Sequence, residues 1–171
     1  PDGQKHSVEP GSIQNVGQVD MAVLSFTSAN QYDVASIGDA QSVGSGDKIW
    51  VAGFPAGRGG RLENGAGKVV ANATVGIKQG YQLLYTNYTT SGMSGGAVLT
   101  SSGQLIGMHG RGEIDEELSR RAGEVVKTGV NQGIPISYYL QFANGLTVIS
   151  ARTEAVSSDD YLAQARSIFN E

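Results

Sequence analysis

The chain has 171 residues and a formal net charge of -4, which argues against a general nucleic-acid-binding or anionic-membrane surface, because both attract basic proteins. It contains no cysteine, so disulfides and thiolate metal sites are excluded, and no apolar run approaches the ~18 residues that a membrane span needs. With 25 glycines and few stretches of helical spacing, the composition predicts a mainly β fold built from short strands.

The pattern of the first residues predicts a sheet whose first strand precedes Pro1. Asp2-Gly3 is typical of a hairpin turn, and the first strand of that hairpin would precede Pro1. Residues 21–26 are nearly continuous in apolar side chains, as in a strand that is covered on both faces. Asp20 heads this strand, where a carboxylate needs a partner unless it merely caps the preceding turn.

The rest of the chain predicts further strands and a few short helices. Residues 27–46 are polar and suit a linker between two sheets. Strands are predicted over residues 48–53, 67–75, 81–88, 97–100, 104–109 and 130–136, and helices over residues 115–122, 137–144 and 160–169.

The most informative stretch is the hydroxyl- and glycine-rich turn of residues 89–98, which runs directly into an apolar strand. Glycines on both sides of Ser94 allow a tight backbone that turns the N–H groups of Gly92 and Ser94 towards one point. Such a pair of donors holds the oxyanion that develops when a serine attacks a carbonyl. A plain hairpin turn would fit the same residues, so the surrounding motifs have to decide.

Four motifs in this order resemble the trypsin-like (chymotrypsin-fold) serine endopeptidases, especially their bacterial, disulfide-free branch. They are Asp20 heading MAVL, then GFP at 53–55, GMSGGAV at 92–98 and LIGMH at 105–109. The resemblance covers roughly residues 3–146 and implies a chymotrypsin-like double β-barrel with a triad in the chain order His, Asp, Ser. It implies that Asp20 orients the histidine, that Ser94 is the nucleophile, and that the N–H groups of Gly92 and Ser94 bind the oxyanion.

The catalytic histidine does not follow the family pattern. Only His6 precedes Asp20, in a polar segment that lacks the family's context, and we interpret it as a surface residue. We therefore expect the general base to lie upstream of Pro1 and the chain alone to be inactive. Many family members also have an aspartate just before the nucleophile that pairs with a freshly cut N-terminus; Met93 makes that activation route unavailable.

The expected organisation follows from this resemblance. Residues 1–36 would be the remaining strands of an incomplete N-terminal barrel, and residues 37–148 the C-terminal barrel with the serine nucleophile. Residues 149–171 would form a linker and a helix that resembles the opening of a tetratricopeptide repeat. Unpaired edges of the incomplete barrel predict pairing with the protein's own N-terminal segment or with a second copy.

The specificity pocket resembles that of the glutamyl endopeptidases, including the staphylococcal enzyme, in which a histidine and a threonine hold the acidic side chain of the substrate. The matching residues are His109 and Thr89, next to Gly110 and Arg111. A protonated His109 would favour the acidic side chain, and Arg111 would add positive potential at the rim. The alternative is a strand-end histidine that is only hydrogen-bonded within the protein.

The predicted function is therefore that of a serine endopeptidase that acts on peptides or proteins through an acyl-enzyme and prefers Glu before the scissile bond. The resemblance implies no metal or cofactor, and it favours a secreted or periplasmic location. We expect neither nucleic acid nor a membrane as a partner. The alternative is a catalytically silent, protease-fold module that binds peptides or regulates a partner, because the general base is not in view.

Overall fold

The computed structural model describes residues 4–73 and 77–146, which contain eight strands and two α-helices. The strands are β1 (Gln14–Asn15), β2 (Ala22–Val23), β3 (Lys48–Gly53), β4 (Glu63–Asn72), β5 (Leu83–Tyr85), β6 (Ala97–Thr100), β7 (Leu105–Ile114) and β8 (Lys127–Pro135). The helices are α1 (Glu116–Ala122) and α2 (Ser137–Ala143). The predicted hairpin turn at Asp2-Gly3 and the helix over 160–169 lie outside the described residues.

Strands β3 to β8 close into a six-stranded antiparallel barrel with the order β3-β4-β5-β8-β7-β6. The barrel closes where β3 pairs with β6, with Val51 opposite Val98. Alternate residues of these strands point inward, so Val51, Val98 and Ile106 are fully buried. The mainly β fold class is thus confirmed, with one closed barrel and a second barrel represented by only two short strands.

The N-terminal segment packs on the outside of this barrel. Val16, Val19 and Met21 are buried in a second cluster that also contains Tyr81 and residues of β5, β8 and α2. Burial of these side chains fixes the segment to the barrel, since each fully buried aliphatic side chain contributes about 1.5–3 kcal/mol. This attachment determines where Asp20 lies.

The prediction of a strand covered on both faces over residues 21–26 is wrong. Only Ala22 and Val23 pair with β1, while Leu24 and Phe26 are 48% and 43% exposed. Side chains alternate across an extended segment, and within the described residues only one face packs against the barrel. The apolar run therefore covers the barrel on one side and remains accessible on the other.

The short helices begin and end close to the predicted residues. Asp115 caps α1 by accepting a hydrogen bond from the backbone N–H of Leu118 (2.9 Å), and Gly123 ends it in the left-handed conformation. Glu117 pairs with Arg121 at 2.6 Å on the exposed surface of α1. No helix within the described part of the chain is long and apolar enough to cross a membrane.

A glycine in the turn before β6 offers a test of how tightly the barrel is packed. A Cβ at Gly96 would lie 2.8 Å from the carbonyl oxygen of Met93 and would also overlap the carbonyl oxygen of Ala52. We expect Gly96→Ala to lower the free energy of unfolding by about 1–3 kcal/mol, as overpacking typically does, measured by urea denaturation. Gly44→Ala is the matched control, because a Cβ there meets no atom within 4 Å. Equal stability of the two variants would contradict this packing.

Candidate active site

The turn of residues 90–96 has a backbone that requires glycine. Gly92 has a φ of 94° and Gly95 a φ of 85°, in the region that residues with a Cβ rarely adopt. A Cβ at Gly92 would also lie 3.1 Å from the Cα of Ala56 and still closer to its backbone nitrogen. Ala56 donates its own N–H to the carbonyl of Ser91 at 2.8 Å, which holds the two segments together.

The backbone N–H groups of Gly92 and Ser94 have no acceptor among the described residues. The N–H groups that alternate with them are engaged: Met93 donates to the carbonyl of Thr90 at 3.2 Å, and Gly95 donates to the carbonyl of His109 at 2.8 Å. Both residues are exposed, so these N–H groups are accessible to a bound group, and two unpaired donors in one turn are typical of a binding site for an anionic oxygen.

The side chains of the turn point in opposite directions. Met93 is buried in the barrel core, where it packs against Gly53 of β3. Ser94 is exposed, and its hydroxyl makes no hydrogen bond with any described residue. Anchoring of Met93 therefore presents the hydroxyl of Ser94 to solvent on a fixed backbone.

Asp20 is held by a tyrosine from the loop before β5. Its Oδ2 atom accepts a hydrogen bond of 2.6 Å from the hydroxyl of Tyr81. Burial, followed by the neighbouring Asp20 carboxylate, raises the pKa of Tyr81 to about 12, so the phenol keeps its proton and remains the donor at neutral pH. The Tyr81 ring fills the space beside Gly110, where a Cβ would lie 2.6 Å from the tyrosine oxygen.

Asp20 and Ser94 make no direct contact, but their neighbours line one groove. This open groove of about 430 Å³ has residues 21–24 on one side and Gly95, Gly96 and Ala97 on the other. The lining is mainly apolar and includes Met108 and Tyr139. The residues that directly follow the predicted acid and the predicted nucleophile in sequence therefore line the same groove.

Neither of the two histidines bonds to Ser94 or Asp20. His6 shares a hydrogen bond of 2.9 Å with the hydroxyl of Tyr32, and its ring lies 5.0 Å from that of Phe26. Nδ1 of His109 lies 2.7 Å from the hydroxyl of Tyr85. Both rings thus bond to tyrosines, and neither is hydrogen-bonded to the predicted acid or nucleophile.

His109 is almost fully buried and uncharged. Burial, and secondarily the positive charge of Lys127, lowers the pKa of His109 from 6.5 to about 4. The imidazole is therefore neutral near pH 7, and the expectation of a protonated His109 is wrong. The sequence pattern places the histidine in the pocket wall but contains no information about its desolvation.

Thr89 lies in a polar network beside a second cavity. Its hydroxyl donates to Oδ1 of Asn131 at 2.6 Å, and the amide of Asn131 donates to the carbonyl of Asn87 at 2.6 Å. The cavity measures about 510 Å³ and is lined by Thr89, Thr90, Ser91, Lys127 and Asn131 among others. His109, Gly110 and Arg111 do not line it. Of the four residues predicted for the pocket, the structure places only Thr89 on this cavity.

Arg111 of β7 is positioned by two contacts, one with the loop before β5 and one with β8. Its guanidinium lies 4.3 Å from the centroid of the Tyr81 ring, and its Nε donates to Oε1 of Gln132 at 3.0 Å. The Gln132 amide in turn donates to Glu113. Arg111 thus connects the tyrosine that holds Asp20 with strand β8.

The sequence profile of the trypsin-like peptidase domain matches residues 1–108. The chain belongs to this family. Among solved structures it is similar to the HtrA-type protease AlgW with a decapeptide (22% identity, TM-score 0.60) and to AlgW with a tripeptide (20% identity, TM-score 0.58), each over 78% of this chain. It spans only about two fifths of those proteins, 39% and 42% of their chains. No curated protein matches.

Four residues of this peptidase domain that contact the predicted site were missed by sequence reasoning: Tyr81, Tyr85, Lys127 and Asn131. Each contacts a residue that is distant in the chain. The only signal in the sequence is the pair of tyrosines around β5; the partner of Tyr81 depends on the packing of the N-terminal segment, and that of Tyr85 on the register of β5, β8 and β7.

Burial of His109 predicts how the free energy of unfolding changes with pH. His109 stays neutral in the folded state, whereas in the unfolded chain it takes up a proton below about pH 6.5. The free energy of unfolding therefore decreases as the pH falls from 6.5 towards the folded pKa of about 4. The linkage relation gives a loss of about 3 kcal/mol over this range. We expect His109→Gln to reduce the difference in unfolding free energy between pH 7 and pH 4 by about that amount, measured by urea denaturation. An unchanged difference would contradict a neutral, desolvated His109.

Proposed function

We propose that this peptidase domain belongs to a serine endopeptidase that hydrolyses peptide bonds through an acyl-enzyme at Ser94. The observation that carries the proposal is the exposed Ser94 hydroxyl on a turn whose two flanking N–H groups, of Gly92 and Ser94, have no acceptor among the described residues. In this arrangement the serine oxygen attacks the carbonyl carbon, and the N–H groups receive the negative charge that develops on its oxygen.

Asp20 is the proposed acid that orients the general base. Its Oδ2 atom receives the Tyr81 hydroxyl, which leaves Oδ1 for the N–H of a histidine. The proposed base comes from outside these 171 residues, because His6 bonds to Tyr32 and His109 bonds to Tyr85. In this arrangement residues 1–36 complete an N-terminal barrel together with further strands, and residues 37–148 hold the nucleophile.

The proposed specificity is for an acidic residue before the scissile bond, as in the glutamyl endopeptidases that the pocket residues resemble. The cavity beside Thr89 supports this, because its lining contains the ammonium group of Lys127 and no carboxylate. A basic side chain would meet a like charge there, whereas a glutamate would pair with it. Arg111 lies farther along β7 and adds to the positive potential near this wall.

A peptide is the proposed partner of the groove between residues 21–24 and 95–97. The similar HtrA-type structures contain a decapeptide or a tripeptide, which supports peptide binding by the same fold. The second candidate function, a catalytically silent peptide-binding module, is favoured by one observation: neither histidine ring is hydrogen-bonded to Ser94, because the rings bond to Tyr32 and Tyr85. Both functions use the same groove and differ in whether a base joins Asp20.

The first test compares the 171-residue chain with an N-terminally extended form on a peptide library. Loss of one triad member typically reduces turnover on the order of a million-fold, so the chain alone should be nearly inert and the extended form active. Ser94→Ala in the extended form should abolish the activity. Equal, Ser94-dependent activity in both forms would contradict the external base, and inactivity of both would favour the silent module.

The second test concerns the residue before the scissile bond. Peptides that differ only there, with Glu, Gln, Lys, Arg or Leu, should give the extended form a kcat/KM for Glu that exceeds that for Gln tens- to thousands-fold. This range corresponds to about 2–5 kcal/mol for a desolvated, hydrogen-bonded charge pair. Preferential cleavage after Lys, Arg or Leu would overturn the acidic pocket and leave the peptidase assignment in place.

A further inference from the structure

We propose that the acidic pocket takes its positive charge from Lys127, and that His109 on the neighbouring strand, fixed by Tyr85, stays uncharged with its proton on Nε2. The role of Lys127 rests on the proposed acidic specificity. The arrangement of Tyr85 and His109 is independent of it, because it concerns only protons inside the folded domain.

The first step concerns the proton between Tyr85 and His109. Tyr85 is completely buried, and Nδ1 of His109 at 2.7 Å is the sole hydrogen-bond partner of its hydroxyl among the described residues. A proton on Nδ1 would leave the tyrosine proton buried without an acceptor, which costs about 1–3 kcal/mol. The tyrosine therefore donates, Nδ1 accepts, and the proton of the neutral ring is on Nε2.

The second step concerns the charge of the ring. Tyr85 faces His109 from β5, and burial raises the pKa of its phenol well above the usual value, so it brings no charge. Lys127 acts on the ring from β8, and Arg111 and Glu113 lie farther along β7. The nucleophile turn bonds to the His109 backbone through glycines and brings no titratable group. Protonating His109 would thus place a second cation beside Lys127.

The third step concerns Lys127. Its Nζ donates to the carbonyl of Thr89 at 3.4 Å, and its Cδ and Cε would lie 3.7 Å from a Cβ at Gly112 of β7. The side chain thus runs from β8 along the strand that carries His109 to the edge of the cavity. Lys127 makes no ion pair with the described residues, so its charge is available to a carboxylate bound there.

The tautomer is tested by long-range ¹H–¹⁵N NMR spectroscopy of the 171-residue chain at pH 7. His6→Gln leaves a single histidine and assigns its signals. We expect an unprotonated resonance for Nδ1 and a protonated one for Nε2. Tyr85→Phe keeps the ring and removes the hydroxyl, so the Nδ1 resonance should shift towards that of a mixture of tautomers. A protonated Nδ1 in the parent chain, or no shift in Tyr85→Phe, would overturn the proposal.

The charge is tested in the extended form with the paired Glu and Gln peptides. Lys127→Met should lower kcat/KM for the Glu peptide and leave that for the Gln peptide nearly unchanged, so that the ratio of the two falls at least tenfold. Lys127→Arg keeps the positive charge and should retain most of the preference for Glu. Lys48→Met is the control, because Lys48 lies over the ring of Trp50 on β3. A Glu preference that survives Lys127→Met overturns this inference alone, whereas cleavage without any Glu preference overturns the acidic pocket itself.

Discussion

The candidate site depends on the close approach of the turn of residues 90–96 to β7 and to Ala56, which leaves no room for a side chain at Gly92. The turn of residues 90–96 is joined to β7 by two hydrogen bonds, from Gly95 to the His109 carbonyl at 2.8 Å and from His109 to the Gly96 carbonyl at 2.7 Å. Its other side lies against Ala56 at Gly92. The same bonds fix the backbones of the turn and of His109 together, so the proposed nucleophile and the proposed pocket wall belong to one unit.

The proposed acid, Asp20, is held near this turn because apolar side chains beside it in the chain are buried against the barrel. Val16, Val19 and Met21 attach the N-terminal segment to the outside of the barrel, and Asp20 lies between the last two in sequence. Tyr81, which belongs to the same buried cluster, adds the hydrogen bond that fixes the carboxylate. Its ring also supports Arg111 and occupies the space beside Gly110. One tyrosine therefore connects the positions of the acid and the wall of the pocket.

The sequence predicts those features that depend on local geometry. Glycines around Ser94 predict the tight turn, and acidic and basic ends with a glycine predict α1. It does not predict the contact of Tyr81 with Asp20, 61 residues apart, because that contact depends on how the N-terminal segment packs on the barrel. Nor does it predict the contact of Tyr85 with His109, which depends on strand register across the barrel. The exposed face of residues 21–26 was missed for a related reason: an apolar run indicates a tendency to be buried but does not identify the surface that covers it.

The central claim is that Ser94 is an activated nucleophile in the extended protein. A fluorophosphonate probe forms a covalent bond with such a serine, and peptide mapping by mass spectrometry locates the adduct. The proposed mechanism predicts one adduct, on Ser94, in the extended form, and far slower labelling of the 171-residue chain, which keeps the oxyanion donors and lacks the base. An extended form that cleaves peptides but carries the label on another residue, or none, would contradict it.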